Sequence, residues 1–174
     1  LPDVKGRAAI LAGSCSIATR QQVEKAKSQF PTHFLDPMKL SNQSRNDISA
    51  TLAWIDRQSS DKPLLIYSSA DPNAVTQAQQ KHGRKKSGAL VERAMGLIAR
   101  GLIQRGVRKI VVAGGETAGA VVQALGITGL KIGPEIDPGV PWTETVNEPR
   151  IALALKSGNF GKSDFFIKSL DMLK

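Results

Sequence analysis

A chain of 174 residues, 41% apolar but only 5% aromatic, has room for one sizeable core and the makeup of a single globular domain. No apolar run approaches the ~20 residues that a membrane span needs, and a single cysteine, Cys15, excludes an internal disulfide and fits a reducing cytoplasm. The net charge of +9 is concentrated between residues 81 and 109, where Lys81, Arg84, Lys85, Lys86, Arg93, Arg100, Arg105, Arg108 and Lys109 face Glu92 alone. Such a segment is a solvated helix face, a funnel for a small anion, or a nucleic-acid surface. The last lacks an interleaved aromatic platform or a binding motif, so no nucleic-acid partner is expected. The start, Leu-Pro-Asp-Val-Lys-Gly, has neither an initiator Met nor a signal pattern, which is expected of a piece of a longer protein.

Residues 7–12 read as a first strand running into Gly13-Ser14-Cys15-Ser16, with Cys15 expected as a small buried thiol. Thr19, followed by Gln22 three residues on, predicts a capping box, and Val23 and Ala26 continue an amphipathic helix to about Phe30. Residues 32–35 form a short strand, and Ile48, Leu52 and Ile55 give the inward face of a helix over 46–58. Residues 64–67 are a buried strand followed by Ser68-Ser69-Ala70, with Asp71-Pro72 opening a further helix. Residues 77–86 are polar and exposed, and Leu90, Ala94, Leu97, Ile98, Gly101 and Leu102 make a helical stripe that ends at Gly106.

Residues 110–113 are β-branched and uncharged, the pattern of a strand buried on both faces. Gly114 and Gly115 turn the chain, and a helix opens near Thr117 with Ala118, Val121, Val122 and Leu125 on one face. Leu130 to Ile132 and Ile151 to Leu155 are strand-like, separated by a stretch containing Pro134, Pro138 and Pro141 that predicts an irregular crossover with an extra strand around 143–146. Ser157-Gly158-Asn159-Phe160-Gly161 is another small-residue turn, and Ser163 or Asp164 caps a last helix whose Phe166, Leu170 and Leu173 face inward. The fold class is α/β: a Rossmann-like three-layer domain with a largely parallel sheet and an irregular Pro-rich insertion.

Strand, glycine turn and helix N-terminus together collect free N–H groups and a positive dipole end. Taken alone, the Gly114-Gly115 turn is either an empty βα turn or an anion site. The second unit, Gly13-Ser14-Cys15-Ser16, places a like turn at the carboxyl edge where open sheets bind ligands. Neither a P-loop nor a Gly-x-Gly-x-x-Gly fingerprint is present, and His33 and His82 are isolated, which leaves a Zn²⁺ site or a triad without support.

Three stretches occur in order: Leu-Ala-Gly-Ser-Cys-Ser with Thr19 and Gln22, Ala-Gly-Gly-Glu-Thr-Ala-Gly, and Leu-Lys-Ser-Gly-Asn-Phe-Gly with Asp164-Phe165-Phe166. Together with Pro138-Gly139-Val140-Pro141-Trp142 they resemble the C-terminal nucleotide-binding domain of the four-carbon acid sugar kinase family. The resemblance implies that residues 1–174 are one nucleotide-binding domain, the C-terminal half of a two-domain cytoplasmic kinase whose N-terminal substrate-binding half is absent here. It implies ATP with Mg²⁺ as cofactors and a sugar acid (3-oxo-tetronate first, then threonate or erythronate) as substrate, with 3-oxo-tetronate 4-phosphate as product. Gly114, Gly115, Glu116 and Thr117 match the phosphate turn, Ser14 and Ser16 the first turn, and Gly158 with Asn159 the third contact. Glu116 either holds Mg²⁺ or favours the helix N-terminus electrostatically. No catalytic base and no metal ligand is assigned, and the isolated domain is expected to be inactive. The alternative is a non-catalytic sensor of an anion or nucleotide.

Overall fold

The computed structural model describes residues 1–40, 45–59, 61–68, 76, 80 and 83–173. The strands are β1 (Arg7–Ala12), β2 (Thr32–Phe34), β3 (Leu64–Tyr67), β4 (Val107–Ala113), β5 (Leu130–Asp137), β6 (Val140–Thr145) and β7 (Ala152–Lys156). The helices are α1 (Ile17–Lys27), α2 (Arg45–Asp56), α3 (Arg84–Gln104), α4 (Gly115–Ala124) and α5 (Phe165–Asp171). One seven-stranded sheet has the order β2-β3-β1-β4-β7-β6-β5. Its first five strands are parallel, and β6 and β5 add an antiparallel edge. Among the described residues no helix is long and apolar enough to cross a membrane.

Helices cover both faces, which is why β1 and β4 contain uncharged apolar runs rather than an alternating pattern. On one face Ala9, Leu11, Ile110, Val112 and Leu153 pack against α2, α3 and α4 through Ile55, Ile98 and Val121. On the other, Ile10, Ala12, Val111, Ala113 and Ala154 meet α1 and α5 through Val23, Ala26, Phe165 and Phe166. From β1 the chain runs to the edge strand β2, returns to β3 beside β1, and then crosses over to place β4 on β1's other side. The gap between the carboxyl ends of β1 and β4 is therefore the topological switch point, the place where an open α/β sheet leaves a crevice.

The Pro-rich stretch differs from the expected irregular crossover. It is a β-hairpin, in which β5 and β6 pair from Leu130↔Thr145 to Asp137↔Val140 with register shifts on either side of Glu135. The prolines sit where a sheet tolerates them, on its edge strand, in its turn and beside its register shifts. Pro134 lies on the edge strand in the shifted stretch, and Pro141 precedes the β6–β7 pairing, which starts at Trp142. Pro138 and Gly139 form the two-residue turn, with Gly139 at φ +78°. Trp142 is fully buried and its Nε1 donates to the Ser169 carbonyl at 3.0 Å, fastening α5 to the hairpin.

Three smaller corrections have local causes. Helix α1 is capped by Ser16, whose Oγ accepts from Thr19 N at 3.2 Å, so the cap lies three residues before the expected one. Thr19 is instead buried in the first turn. Leu97 is exposed although Leu90, Ala94, Ile98 and Leu102 of its stripe are buried. Helix α4 begins at Gly115, two residues before the expected start. The expected turn 69–70, the Asp71-Pro72 helix start, Lys81 and His82 fall outside the described residues.

Three cations of the basic segment, Arg105, Arg108 and Lys109, have structural bonds toward the amino edge of the sheet. Arg105 pairs with Asp56 through two bonds of 2.7 and 2.9 Å. Arg108 Nη1 donates to the Ile103 carbonyl at 2.7 Å, and Lys109 Nζ to the Leu173 carbonyl at 2.9 Å, so both cations answer carbonyls near helix C-termini. His33 is also structural: its Nε2 lies 3.0 Å from Thr51 Oγ1 and its ring stacks obliquely on Trp54. Burial, with Arg57 nearby, holds its imidazole below the usual range.

Candidate functional site

Strands β1, β4 and β7 end in register, at Ala12, Ala113 and Lys156. Three turns, 13–16, 114–117 and 157–161, therefore leave the carboxyl edge side by side at the switch point. They are tied to one another by backbone: Gly13 N and Ser14 N donate to the Ala113 carbonyl at 3.0 and 3.2 Å, and Gly114 N to the Lys156 carbonyl at 2.9 Å.

Glycine is required here first by how tightly the turns abut. A Cβ at Gly13 would lie 2.2 Å from Thr117 Oγ1, and one at Gly158 only 2.4 Å from Ser14 Oγ. Gly114 is buried with φ +123°, a conformation that side chains disfavour. Gly115 differs: it is exposed, and a Cβ there would meet nothing within 4 Å. Of the Gly-Gly pair, Gly114 shapes the turn and Gly115 opens it to solvent.

The first intrahelical bond of α4 is Ala118 N to the Gly114 carbonyl at 2.8 Å. The N–H groups of Gly115, Glu116 and Thr117 thus have no helical acceptor and lie at the positive end of the α4 dipole. Glu116 is exposed beside Glu92 of α3, whereas Thr117 is buried between the Gly13 and Gly114 backbones. Burial, and then the Glu116 carboxylate, push the Glu92 carboxyl above its usual range. Among the described residues no group of three or more His, Cys, Asp or Glu side chains is placed to hold a metal ion.

The third turn is held by its carbonyls. The Gly158 carbonyl accepts from Ser16 Oγ at 2.6 Å, Thr19 Oγ1 at 2.8 Å and Lys156 Nζ at 2.8 Å. Gln22 Nε2 lies 3.0 Å from each of the Phe160, Gly161 and Lys162 carbonyls. Lys162 N donates to Asp137 Oδ2 at 2.9 Å, and Asp137 Oδ1 pairs with Lys168 at 2.7 Å. Burial works to raise the Asp137 carboxyl, but Lys168 and the Lys162 N–H outweigh it and hold the group below the usual range. Asn159 is exposed at the tip.

The sequence-predicted residues Ser14, Ser16, Gly114, Gly115, Glu116, Thr117, Gly158 and Asn159 thus come together on one edge. Both serines also have structural bonds: Ser14 Oγ accepts from Ser16 N at 3.2 Å, and Ser16 caps α1. Cys15 between them is exposed rather than buried, because its two neighbours turn inward to hold the adjoining backbone. Sequence reasoning missed the clamp made by Gln22, Lys156 and Asp137. Two of its members are visible in the sequence without their partners: Gln22, which reads as half of a capping box, and Lys156, a lysine in phase with Ala152 and Ala154 of an otherwise apolar strand.

A family model described as a nucleotide-binding C-terminal domain matches residues 9–166. The chain is 48% identical over 173 residues to a 3-oxo-tetronate kinase of Burkholderia multivorans, covering 99% of this chain and 40% of that protein. It is 49% identical over 172 residues to a 3-oxo-tetronate kinase of Methylobacterium radiotolerans, covering 98% and 40%. A Salmonella typhimurium protein of known crystal structure matches with a TM-score of 0.90 at 40% identity, over 98% of this chain and 42% of that one. The chain spans about 40% of the length of the curated relatives it matches. It belongs to the nucleotide-binding C-terminal domain family, in line with the four-carbon acid sugar kinases that its motifs resemble.

Proposed function

We propose that this chain is the ATP-binding half of a two-domain kinase that phosphorylates a four-carbon sugar acid, 3-oxo-tetronate first among them. The observation that carries the reading is the meeting of three turns at the switch point, with the unpaired N–H groups of the α4 first turn among them. Phosphoryl transfer asks a protein chiefly for positioning and charge stabilisation, which such N–H groups supply. The phosphate chain is assigned to the N–H groups of Gly115, Glu116 and Thr117 on one side and of Gly158 and Asn159 on the other, with Ser14 and Ser16 lining the gap. Glu116 at the α4 N-terminus and Glu92 of α3 beside it are hard oxygen donors of the kind Mg²⁺ accepts, and Glu116, the exposed one, is assigned to a water of a nucleotide-bound Mg²⁺. The base that activates the substrate hydroxyl is assigned to the other half. The names of the relatives favour this reading over a non-catalytic sensor.

Calorimetric titration of the 174-residue chain with ADP and Mg²⁺ tests it. Weak saturable binding is expected, without phosphotransfer to 3-oxo-tetronate until the N-terminal half of a relative is added. No heat at millimolar ADP sinks the proposal. The same titration separates steering from scaffolding in the basic segment. Arg105 and Lys109 lie toward the amino end of β4, a strand about 20 Å long at ~3.3 Å per residue, and the candidate site lies at its other end. The double variant Arg105→Gln, Lys109→Met is expected to keep ADP affinity within about twofold of wild type, as distance and screening demand. A tenfold loss that vanishes in high salt would restore the electrostatic funnel.

A further inference from the structure

Lys156 is 1% exposed, and among the described residues none of its hydrogen bonds goes to a carboxylate. A lysine this deep is ordinarily paired with an acid. Here its three N–H donors find Thr19 Oγ1 at 3.1 Å, the Ser157 carbonyl at 3.1 Å and the Gly158 carbonyl at 2.8 Å. The ammonium is hydrogen-bonded but its charge is not cancelled, so a positive charge sits directly beneath the third turn.

The geometry of the peptide bond turns this into a statement about the other side of the turn. In a trans peptide the carbonyl and the following N–H point in opposite directions. Drawing the carbonyls of Ser157 and Gly158 inward onto Lys156 therefore aims the N–H groups of Gly158 and Asn159 outward, across the gap from the α4 N-terminus. Among the described residues neither of these N–H groups donates to a backbone carbonyl.

We propose that Lys156 is a positioning residue for the nucleotide phosphates: it fixes the outward aim of the Gly158 and Asn159 N–H groups and keeps an uncancelled positive charge beneath them. The proposal rests on the nucleotide reading above and adds to it a residue that touches no ligand. Charge and ligand are then linked, since the protonated lysine favours the bound anion and the bound anion favours the protonated lysine. Burial lowers the Lys156 pKa to about 8, with no charged side chain contributing. Its hydrogen-bond partners are Thr19 of α1 and the two carbonyls of its own turn, so among the described residues no other titrating group bonds to it.

The experiment measures ADP affinity by calorimetry from pH 6.5 to 9.5, in a Cys15→Ser background that removes the thiol of the neighbouring turn. Folding of each variant is checked by circular dichroism. With Lys156 present, affinity should hold below about pH 7.5 and fall by roughly tenfold or more as pH rises through 8 and beyond. Lys156→Met should lose at least tenfold in affinity at pH 7 and show no fall across pH 8. Lys156→Arg, which keeps the charge without titrating in this range, should recover most of the affinity and also show no fall. A folded Lys156→Met protein that binds like its parent, or retains the parent's pH slope, overturns the proposal and leaves the nucleotide reading standing. If the parent binds no ADP at any pH, both fail. Should Lys156→Met not fold, the parent's profile decides alone, because a flat line from pH 7 to 9.5 overturns the role of the charge.

Discussion

Gly115→Val is expected to weaken ADP binding by at least about 100-fold, close to 2.8 kcal/mol, while leaving the melting temperature within a few degrees of wild type. The two halves of that outcome come from different observations. Stability should survive because Gly115 is exposed, lies outside the left-handed region, and offers an added Cβ no neighbour within 4 Å. Valine is also the better helix former in a position that is already helical. Binding should not survive, because the same open space is where a phosphate would approach the α4 N–H groups, and a branched side chain fills it. Charge-assisted hydrogen bonds of that kind contribute about 1.5–3 kcal/mol each, so losing one or two accounts for the expected change. Unchanged affinity would remove the 114–117 turn from the site, whatever the rest of the chain does. The contrast with Gly13 is instructive, since any side chain there collides with Thr117 and would damage fold and binding together.

Gln22→Leu should do what Gly115→Val does not and cost stability first. Gln22 is 1% exposed, and its Nε2 faces three carbonyls of the 160–162 segment. Leucine nearly matches its volume but leaves those acceptors without their donor, a loss of about 2–4 kcal/mol if one to two carbonyls stay dry. For a chain of this size that is a fall of roughly 5–15 °C in melting temperature. ADP affinity should fall as well, since the segment carrying Gly158 and Asn159 is released from α1. Gln22→Glu is the sharper control. It keeps the shape but sets a carboxylate against three carbonyl oxygens, so it should be at least as destabilising as leucine. A thermal melt on the two variants decides the matter, and a glutamate variant as stable as wild type would show that the amide donor is not what holds the turn.

The parts of this molecule that were legible in its sequence are those whose cause is local. Residues 110–113 read as a buried strand because helices cover both faces of β4 and leave no place for charge. The three turns read as turns because small residues follow each strand directly. The hairpin of β5 and β6 was obscured by its prolines, which break strands except at edges, turns and register shifts, the places where Pro134, Pro138 and Pro141 lie. Both Ser16 and Thr19 can cap a helix, and the bond of Thr19 Oγ1 to the distant Gly158 carbonyl, which commits Thr19 to the first turn, has no local signal. Gln22 was visible as half of a capping box, yet its partners lie about 138–140 positions away. Nothing near it in the chain announces them, and the same holds for the partnership of Lys156 with Thr19 across 137 positions.

That long span has a kinetic side. Strand β4 has β7 as its neighbour away from β1, and β7 arrives some forty residues later in the chain. Until it docks, the Val111–Val112–Ala113 ridge ends in unpaired amides and carbonyls, an invitation to any other extended segment in reach. The crevice and the closure of this edge are completed by the same strand, since β7 carries both the ladder to β4 and the Lys156–Asn159 turn. A ligand that recognises all three turns therefore recognises only chains in which this edge of β4 is already paired, and by mass action it holds them there.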